Sequence, residues 1–299
     1  MSKLRLHLFT LPRWFAAPFF CSSVAMGVIL AGGKFTDLVS WLALLLGLLV
    51  MAGGHSWNTF LDYAWTGLDR GDEGDRSAGK PYTFGQSVIA TGLCSTREVL
   101  VNAIGWYVLA VPVAFFLASK SGWPILLITL LGMSTTFWYT KAKFNWTHEL
   151  ALGVGVGPLG VLMGMFSVNP NPNWVQGIVA SFPFAIILSF AGLALDEYPD
   201  AEANLKKGVK SIAYKVWEYK VDLSTYLMIW FAFMYLYQVF LITVGILYPL
   251  TGITFLLAPV FMGLLVMLKG SFEKFAPAVV VAGALYPVLL IVGQALGGG

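Results

Sequence analysis

The sequence predicts an all-α polytopic membrane protein with nine transmembrane helices arranged around a central cavity. Of its 299 residues, 58% are hydrophobic and only 11% are charged, and the mean hydropathy is +0.77. Soluble globular domains carry about 25% charged residues, so this chain has too little polar surface to remain in water. The composition therefore excludes a cytosolic enzyme, a disordered chain and a nucleic-acid-binding protein.

Nine apolar stretches are long enough to cross a bilayer as helices. A spanning helix needs about 20 mainly apolar residues, because unpaired backbone polar groups are not tolerated in hydrocarbon. The second stretch is long enough that its last turns must leave the membrane, and the fifth is rich in glycine, which permits close helix packing. A single domain over residues 1–299 is expected, with helices over residues 14–33, 38–66, 97–118, 123–140, 148–167, 174–195, 222–247, 250–268 and 275–296.

The charged residues are distributed unevenly between the two ends of these helices. With nine spans, 16 of the 18 Lys and Arg residues lie on the side of the amino terminus, and only Lys34 and Lys120 lie on the other. The positive-inside rule then predicts a cytoplasmic amino terminus and an external carboxyl terminus. All but one of the 15 acidic residues, Asp37, also lie on the cytoplasmic side. The positive-inside rule does not explain the position of these carboxylates.

Two cytoplasmic loops hold most of the acidic residues. In each, an acid follows an Asn or Asp by four residues at the end of an apolar helix, so the two side chains share one helical face. Like charges at such short spacing repel unless a cation neutralises them, and Mg²⁺ is bound by a few carboxylates together with phosphate oxygens. The sequence therefore predicts a magnesium site formed by Asp62 and Asp69 after the second helix and by Asp196 and Asp200 after the sixth, with Asn58 as a further catalytic candidate.

The two acidic loops lie four helices apart, which predicts a pseudo-repeat of helices 1–4 and 5–8 followed by a ninth helix. The equivalent loops would face each other across the central cavity. Tyr139 and Lys143 share one face at the end of the fourth helix, and further basic residues follow each acidic loop. Metal-held carboxylates with converging Lys and Arg are typical of sites that bind a diphosphate and stabilise it as a leaving group. The candidate diphosphate ligands are Arg76, Lys80, Lys143, Lys206, Lys207 and Lys210.

These patterns resemble those of the UbiA superfamily of intramembrane prenyltransferases, over nearly the whole chain. That superfamily has nine membrane helices, an NxxxD motif, a DxxxD motif and a YxxxK signature. Here Asn58 and Asp62 match the first motif, and Tyr139 and Lys143 match the signature on the fourth helix. Asp196 and Asp200 match the second motif, where Asn204 occupies a third position that is often Asp.

The first motif departs from the usual pattern. The next acid commonly follows after four residues, but Thr66 occupies that position here. Asp69 is the nearest candidate for the third acid, with Asp72 and Asp75 as substitutes. A glycine before a more distant acid, as in Gly67-Leu-Asp69, is more similar to the menaquinone branch, whose members prenylate a naphthoate.

The resemblance implies an enzyme that transfers an isoprenyl chain from a polyprenyl diphosphate to an acceptor, with magnesium as cofactor. Asp62, Asp69, Asp196 and Asp200 would hold the metal on the diphosphate, with Asn204 as a further ligand at the third position of the second motif. The basic residues would neutralise the charge of the diphosphate. Tyr139 is the first candidate for shielding an allylic cation, since aromatic ring faces attract cations. The isoprenoid tail would lie between helices, open to membrane lipid.

The acceptor remains open at this point. Motif spacing favours an aromatic quinone precursor such as a dihydroxynaphthoate, and the alternative is a glycerol-phosphate lipid, as in archaeal digeranylgeranylglyceryl phosphate synthases. A transporter of an anionic metabolite is a third interpretation, but transporters usually place ionisable groups near the midplane on broken helices. For His148 and Glu149, at the start of the fifth helix, a structural role is favoured over contact with substrate, and no catalytic base is identified.

Overall fold

The computed structural model describes residues 3–70 and 88–298, and all regular structure in these ranges is helical. In these ranges the structure has nine long helices and two short ones, and the short helices lie between the sixth and seventh long helices. In chain order the helices are α1 (Lys3–Leu30), α2 (Leu38–Ala64), α3 (Thr96–Ser121), α4 (Pro124–Ala142), α5 (His148–Val168), α6 (Trp174–Glu197), α7 (Ala201–Lys206), α8 (Ile212–Glu218), α9 (Leu223–Thr243), α10 (Pro249–Leu268) and α11 (Lys274–Gly297).

Each of the nine predicted stretches corresponds to one long helix, so the predicted all-helical membrane fold is confirmed. In the described ranges, eight of the long helices are apolar enough to cross a membrane. The remaining one, α4, has 19 residues and carries several hydroxyl side chains and Lys141 in its second half, which lowers its hydropathy. The count of nine spans therefore depends on α4, whose polar end belongs to the site described below.

The first helix begins earlier than residue 14, where the apolar stretch starts. A helical segment from Lys3 precedes a turn at residues 11–13, in which Arg13 has a left-handed backbone conformation with φ of 54°. The Nζ atom of Lys3 lies 2.7 Å from Oε1 of Glu98, which itself closes a capping box with Ser95 at the start of α3. These contacts hold the amino-terminal segment against the bundle.

The helices differ in how deeply they are buried. In the most apolar segments of α5 and α6, 61% and 67% of the residues are buried, against 22% in α3 and α10. The central helices α5 and α6 also contain π-helical turns, at Gly155–Leu159 and Ile186–Gly192. Such turns occur frequently at functional sites, and both turns contribute residues to the cavity described below.

Glycines allow the backbones of α1 and α5 to pack directly against each other. A Cβ atom at Gly27 would lie 1.9 Å from the carbonyl oxygen of Val161, and one at Gly164 would lie 2.0 Å from that of Val24. These distances are far shorter than van der Waals contact, so neither position accommodates a larger residue without separation of the helices. Gly164 lies four residues after Gly160, the small-residue spacing typical of membrane helix contacts.

We expect Gly164→Ala to lower the free energy of unfolding by about 1–3 kcal/mol, because the added methyl group forces the α1–α5 contact apart. Thermal denaturation of the purified protein in detergent micelles measures the loss. Gly105→Ala in α3 is the matched control, since a Cβ there meets no atom within 4 Å. An equal loss of stability in both variants would contradict the close-packing explanation.

Candidate active site

A cavity lies among α1, α2, α4, α5 and α6, with further contributions from α9 and α11. Its polar lining residues include Asn58, Tyr139 and Asp196, which lie near the carboxyl ends of α2, α4 and α6. We call this end of the bundle the motif end. Most of the other lining residues are apolar or glycine, so the cavity combines a polar end with an apolar interior.

One face of α2 forms a continuous wall of this cavity. Its lining residues follow the spacing expected for a single helical face over three turns. At a rise of 1.5 Å per residue, this wall extends about 16 Å into the bundle from Asn58. Small and apolar side chains occupy most of it, in the order Gly47, Val50, Met51, Gly54, His55 and Asn58.

The first acidic motif forms a buried charged pair with the end of α4. Nζ of Lys143 lies 2.6 Å from Oδ2 of Asp62, and Nδ2 of Asn58 donates a hydrogen bond to the same oxygen at 2.8 Å. The side chains of Lys143 and Asp62 are only 10% and 7% exposed. The predicted shared face of Asn58 and Asp62 is confirmed, and the sequence did not predict that Lys143 pairs with this aspartate.

The second carboxylate oxygen of Asp62 is available to bind a further ligand. Oδ1 is buried and has no hydrogen-bond partner among the described residues. Buried polar atoms are nearly always paired in folded proteins, so an unpaired one calls for an explanation. A hard divalent cation prefers such an oxygen, and the donor set at this site therefore fits magnesium.

The turn after α2 explains why Thr66 occupies the usual position of an acid. Its hydroxyl group donates to the carbonyl oxygen of Asp62 at 3.0 Å, which caps the last turn of the helix. Gly67 then adopts φ of 71°, a left-handed conformation that suits glycine, and reverses the chain. The amide of Asp69 consequently lies 3.3 Å from the carbonyl oxygen of Asp62. Asp69 is thus held next to the first motif despite the longer spacing.

The second acidic motif also lies at the motif end of the cavity. Asp196 lines the cavity at the end of α6. Asp200 follows in the short 3-10 turn Tyr198–Asp200, and its side chain is outside the described part of the structure. Asn204 in α7 donates to the hydroxyl oxygen of Tyr214 in α8 at 2.7 Å. The residues Asp72, Asp75, Arg76 and Lys80 also lie outside the described residues.

The predicted basic residues have different positions. Nζ of Lys143 lies 5.0 Å from the ring centroid of Tyr139, in addition to its contact with Asp62. Nζ of Lys207 donates to the carbonyl oxygen of Leu68 at 2.7 Å, which joins the two acidic loops. The backbone amide of Lys210 donates to the carbonyl oxygen of Lys143 at 2.6 Å.

Lys206 is the exception. Its Nζ atom lies 2.8 Å from Oε1 of Glu202, one turn earlier on α7, and both side chains are well exposed. The structure therefore brings Lys143, Lys207 and the backbone of Lys210 to the motif end but does not direct Lys206 there.

Two groups of polar residues near the site received no role from the sequence. Arg13 lines the cavity, and its Nη2 atom lies 3.4 Å from the hydroxyl oxygen of Thr59 in α2. A second group of buried residues behind Tyr139 includes His148 and Glu197, whose Nε2 and Oε1 atoms lie 2.6 Å apart. The sequence signal for Arg13 was a basic residue directly before an apolar helix. The signal for Glu197 was an acid adjacent to Asp196.

The sequence profile of the UbiA prenyltransferase family matches residues 20–279 of the chain. The chain belongs to the UbiA prenyltransferase family. Membership makes it a membrane prenyltransferase and removes the transporter interpretation. This prenyltransferase is 27% identical over 242 residues to the 1,4-dihydroxy-2-naphthoate octaprenyltransferase of Bacillus subtilis (strain 168), a match covering 79% of this chain and 73% of the relative.

Solved structures of UbiA-family proteins have the same fold. A UbiA homolog from Aeropyrum pernix K1 matches this prenyltransferase with a TM-score of 0.70 at 16% identity, covering 94% of this chain and 97% of that one. A UbiA homolog from Archaeoglobus fulgidus bound to DMAPP and Mg²⁺ matches with a TM-score of 0.57 at 16% identity, covering 99% and 100% of the two chains. The second structure is of a relative holding an isoprenyl diphosphate together with magnesium.

Proposed function

We propose that this prenyltransferase transfers an isoprenyl chain from a polyprenyl diphosphate to an aromatic quinone precursor such as a dihydroxynaphthoate, with Mg²⁺ as cofactor. The cavity carries this proposal, because its charged end and its apolar interior match the two halves of the donor. The naphthoate enzyme of Bacillus subtilis supports the choice of acceptor. The motif end would face the cytoplasm, since 16 of the 18 basic residues lie on that side under the predicted topology.

Asp62, Asp69, Asp196, Asp200 and Asn204 would hold the magnesium. The fit depends most directly on Asp62, whose Oδ1 atom is buried and has no partner in the described part of the chain. Bound magnesium supplies positive charge that stabilises a departing diphosphate. The protein's own cations would add to this effect, and the candidates are Lys143, Lys207, Lys210, Arg76 and Lys80. Lys206, which pairs with Glu202 on the surface, is left out of this set.

The reaction begins with cleavage of the bond between the allylic carbon and the diphosphate oxygen, whose electron pair leaves with the diphosphate. Lys143 would neutralise the developing negative charge, and Asp62 and Asn58 hold its ammonium group in place. The ring of Tyr139 lines the cavity within 5.0 Å of that ammonium group, where it would shield the allylic cation. The acceptor carbon would then attack the cation to form the new carbon–carbon bond. The electron pair of its C–H bond would restore the aromatic ring, and the proton would pass to water.

Arg13 is the only Lys or Arg among the described cavity-lining residues, which supports an acceptor with one negative charge. Its planar guanidinium can pair with a carboxylate, as it also can with a phosphate. A glycerol-phosphate lipid carries a phosphate headgroup with a higher negative charge, which would call for an additional basic pocket. The observed lining therefore favours an aromatic carboxylate such as a dihydroxynaphthoate.

An acceptor screen tests this proposal. The purified enzyme in lipid nanodiscs receives radiolabelled geranylgeranyl diphosphate, Mg²⁺ and one acceptor at a time: 1,4-dihydroxy-2-naphthoate, 4-hydroxybenzoate or geranylgeranylglyceryl phosphate. We expect a prenylated naphthoate product that disappears with EDTA and returns with excess Mg²⁺. A labelled ether-lipid product in place of the naphthoate would reassign the enzyme to the lipid class.

The cation-shielding role of Tyr139 predicts a separation of kinetic constants. Tyr139→Leu should lower kcat by roughly 30-fold, because an aromatic face contributes about 2 kcal/mol to a desolvated cation. The KM for the donor should change less than threefold, and Tyr139→Phe should retain most of the activity. Steady-state kinetics at saturating acceptor measure both constants. An effect confined to the KM for the donor would contradict this role.

A further inference from the structure

Behind Tyr139, outside the cavity lining, lies a group of four buried polar side chains that we call the His148 cluster: His148, Glu149, Glu197 and Ser211. Nε2 of His148 lies 2.6 Å from Oε1 of Glu197, and its Nδ1 lies 3.5 Å from Oε2 of Glu149. The hydroxyl group of Ser211 contacts both carboxylates, at 2.5 Å to Glu197 and 3.0 Å to Glu149. Each carboxylate thus shares its partners with the other.

The cluster joins three segments that are far apart in sequence. His148 and Glu149 begin α5, Glu197 ends α6, and Ser211 caps the amino terminus of α8 through the amide of Ala213. Glu149 also accepts a hydrogen bond from the amide of Ile212 at 2.6 Å. Buried carboxylates are tolerated only when they are paired, so these contacts fix the three segments relative to one another.

Two of these segments are adjacent in sequence to a candidate binding residue, and the third contacts one through its side chain. Glu197 follows Asp196, and Ser211 follows Lys210, whose backbone amide donates to the carbonyl oxygen of Lys143. The ring of His148 packs edge-on against Tyr139, with their centroids 5.2 Å apart. A shift of the cluster therefore displaces groups on both sides of the polar end of the cavity.

We propose that the His148 cluster positions the second acidic motif, holding Asp196 in the geometry in which it binds the metal-bound diphosphate of the donor. The inference rests on the proposed function for the identity of that ligand. None of the four side chains lines the cavity in the described structure, so they act through Asp196, Lys210 and Tyr139 and do not touch substrate. A carboxylate and an imidazole that orient the ligands of a metal site affect its affinity, typically by 10–100-fold.

Glu197→Gln tests the inference, because it preserves the size of the side chain and removes the charge that His148 and Ser211 both contact. Calorimetry measures the binding of geranylgeranyl S-thiolodiphosphate, an unreactive donor analogue, at a series of Mg²⁺ concentrations. We expect the affinity for the analogue to fall at least tenfold and the Mg²⁺ concentration needed for half-maximal binding to rise. The KM for the acceptor should stay unchanged.

A second buried polar group provides the matched control. Gln238 in α9 accepts hydrogen bonds from Thr254 and Tyr286, is fully buried, and lies outside the cavity lining. Gln238→Leu should lower the thermal stability and leave the affinity for the analogue as in the wild type. Equal losses of affinity in Glu197→Gln and Gln238→Leu would overturn the inference, as would wild-type affinity in a folded Glu197→Gln variant.

Ser211→Ala keeps the inference testable if Glu197→Gln does not fold. It removes one hydroxyl group and should weaken binding of the analogue in the same direction by a smaller factor, and wild-type affinity would overturn the inference.

Failure of the proposed function gives a different result. If the wild-type protein binds the analogue with Mg²⁺ but prenylates no aromatic acceptor, the proposed acceptor is wrong while the role of the cluster stands.

Discussion

Replacement of Asp62 by asparagine should lower kcat for diphosphate release by roughly 10²–10³-fold, the size of effect seen when a charge-stabilising group is removed from an active site. Asp62 supplies a buried oxygen without a described partner and also orients Lys143, so the variant loses a metal ligand and misplaces a cation. Release of diphosphate from the donor in the presence of Mg²⁺ and acceptor measures the effect.

The same substitution at Asp37 is the control for Asp62→Asn. Asp37 precedes α2 at the opposite end of the bundle, where it is exposed. Asp37→Asn should therefore have wild-type turnover. Turnover within threefold of wild type in Asp62→Asn would refute the assignment of this carboxylate to the metal and diphosphate site.

Lys143→Met should destabilise the protein as well as inactivate it. Removing one partner of a buried ion pair leaves the other charge uncompensated, which costs about 3–5 kcal/mol. The double variant Asp62→Asn with Lys143→Met removes both charges and should recover most of that stability, while activity stays lost in all three variants. Thermal denaturation and diphosphate release on the same preparations give the double-mutant cycle.

The decisive quantity in this cycle is the coupling free energy, which is the difference between the stability loss of the double variant and the sum of the two single losses. If the two losses of stability simply add, Asp62 and Lys143 do not form the buried pair that the structure shows. Recovery of stability without recovery of turnover in the double variant would show that the loss of activity is not a consequence of unfolding.

The helices were predictable from the sequence because their physical cause is local. A run of apolar residues must satisfy its own backbone hydrogen bonds inside a bilayer, so hydropathy alone locates the spans. The shared face of Asn58 and Asp62 follows equally from helical spacing. The position of Asp69 relative to this pair did not follow, because it depends on the reversal of the chain at Gly67.

The partners of the charged residues depend on contacts that spacing does not reveal. Asp62 and Lys143 are 81 residues apart, and Lys207 reaches Leu68 from 139 residues away. Lys206 and Lys207 are adjacent in sequence, yet the helical phase of α7 places the first beside Glu202 on the surface. The sequence predicts that both lysines bind the diphosphate, because residue type and position alone do not show which partner each lysine contacts.

Glycines in the cavity wall differ in whether a larger side chain fits in their place. At Gly132 an added methyl group would meet Val50 and Met163 at ordinary contact distances of 3.6 and 3.7 Å, whereas at Gly160 it would meet the hydroxyl oxygen of Ser23 at 2.2 Å. Both glycines line the cavity. A larger residue at a position such as Gly132 would therefore narrow the cavity without rebuilding the scaffold, whereas Gly160 does not accommodate one.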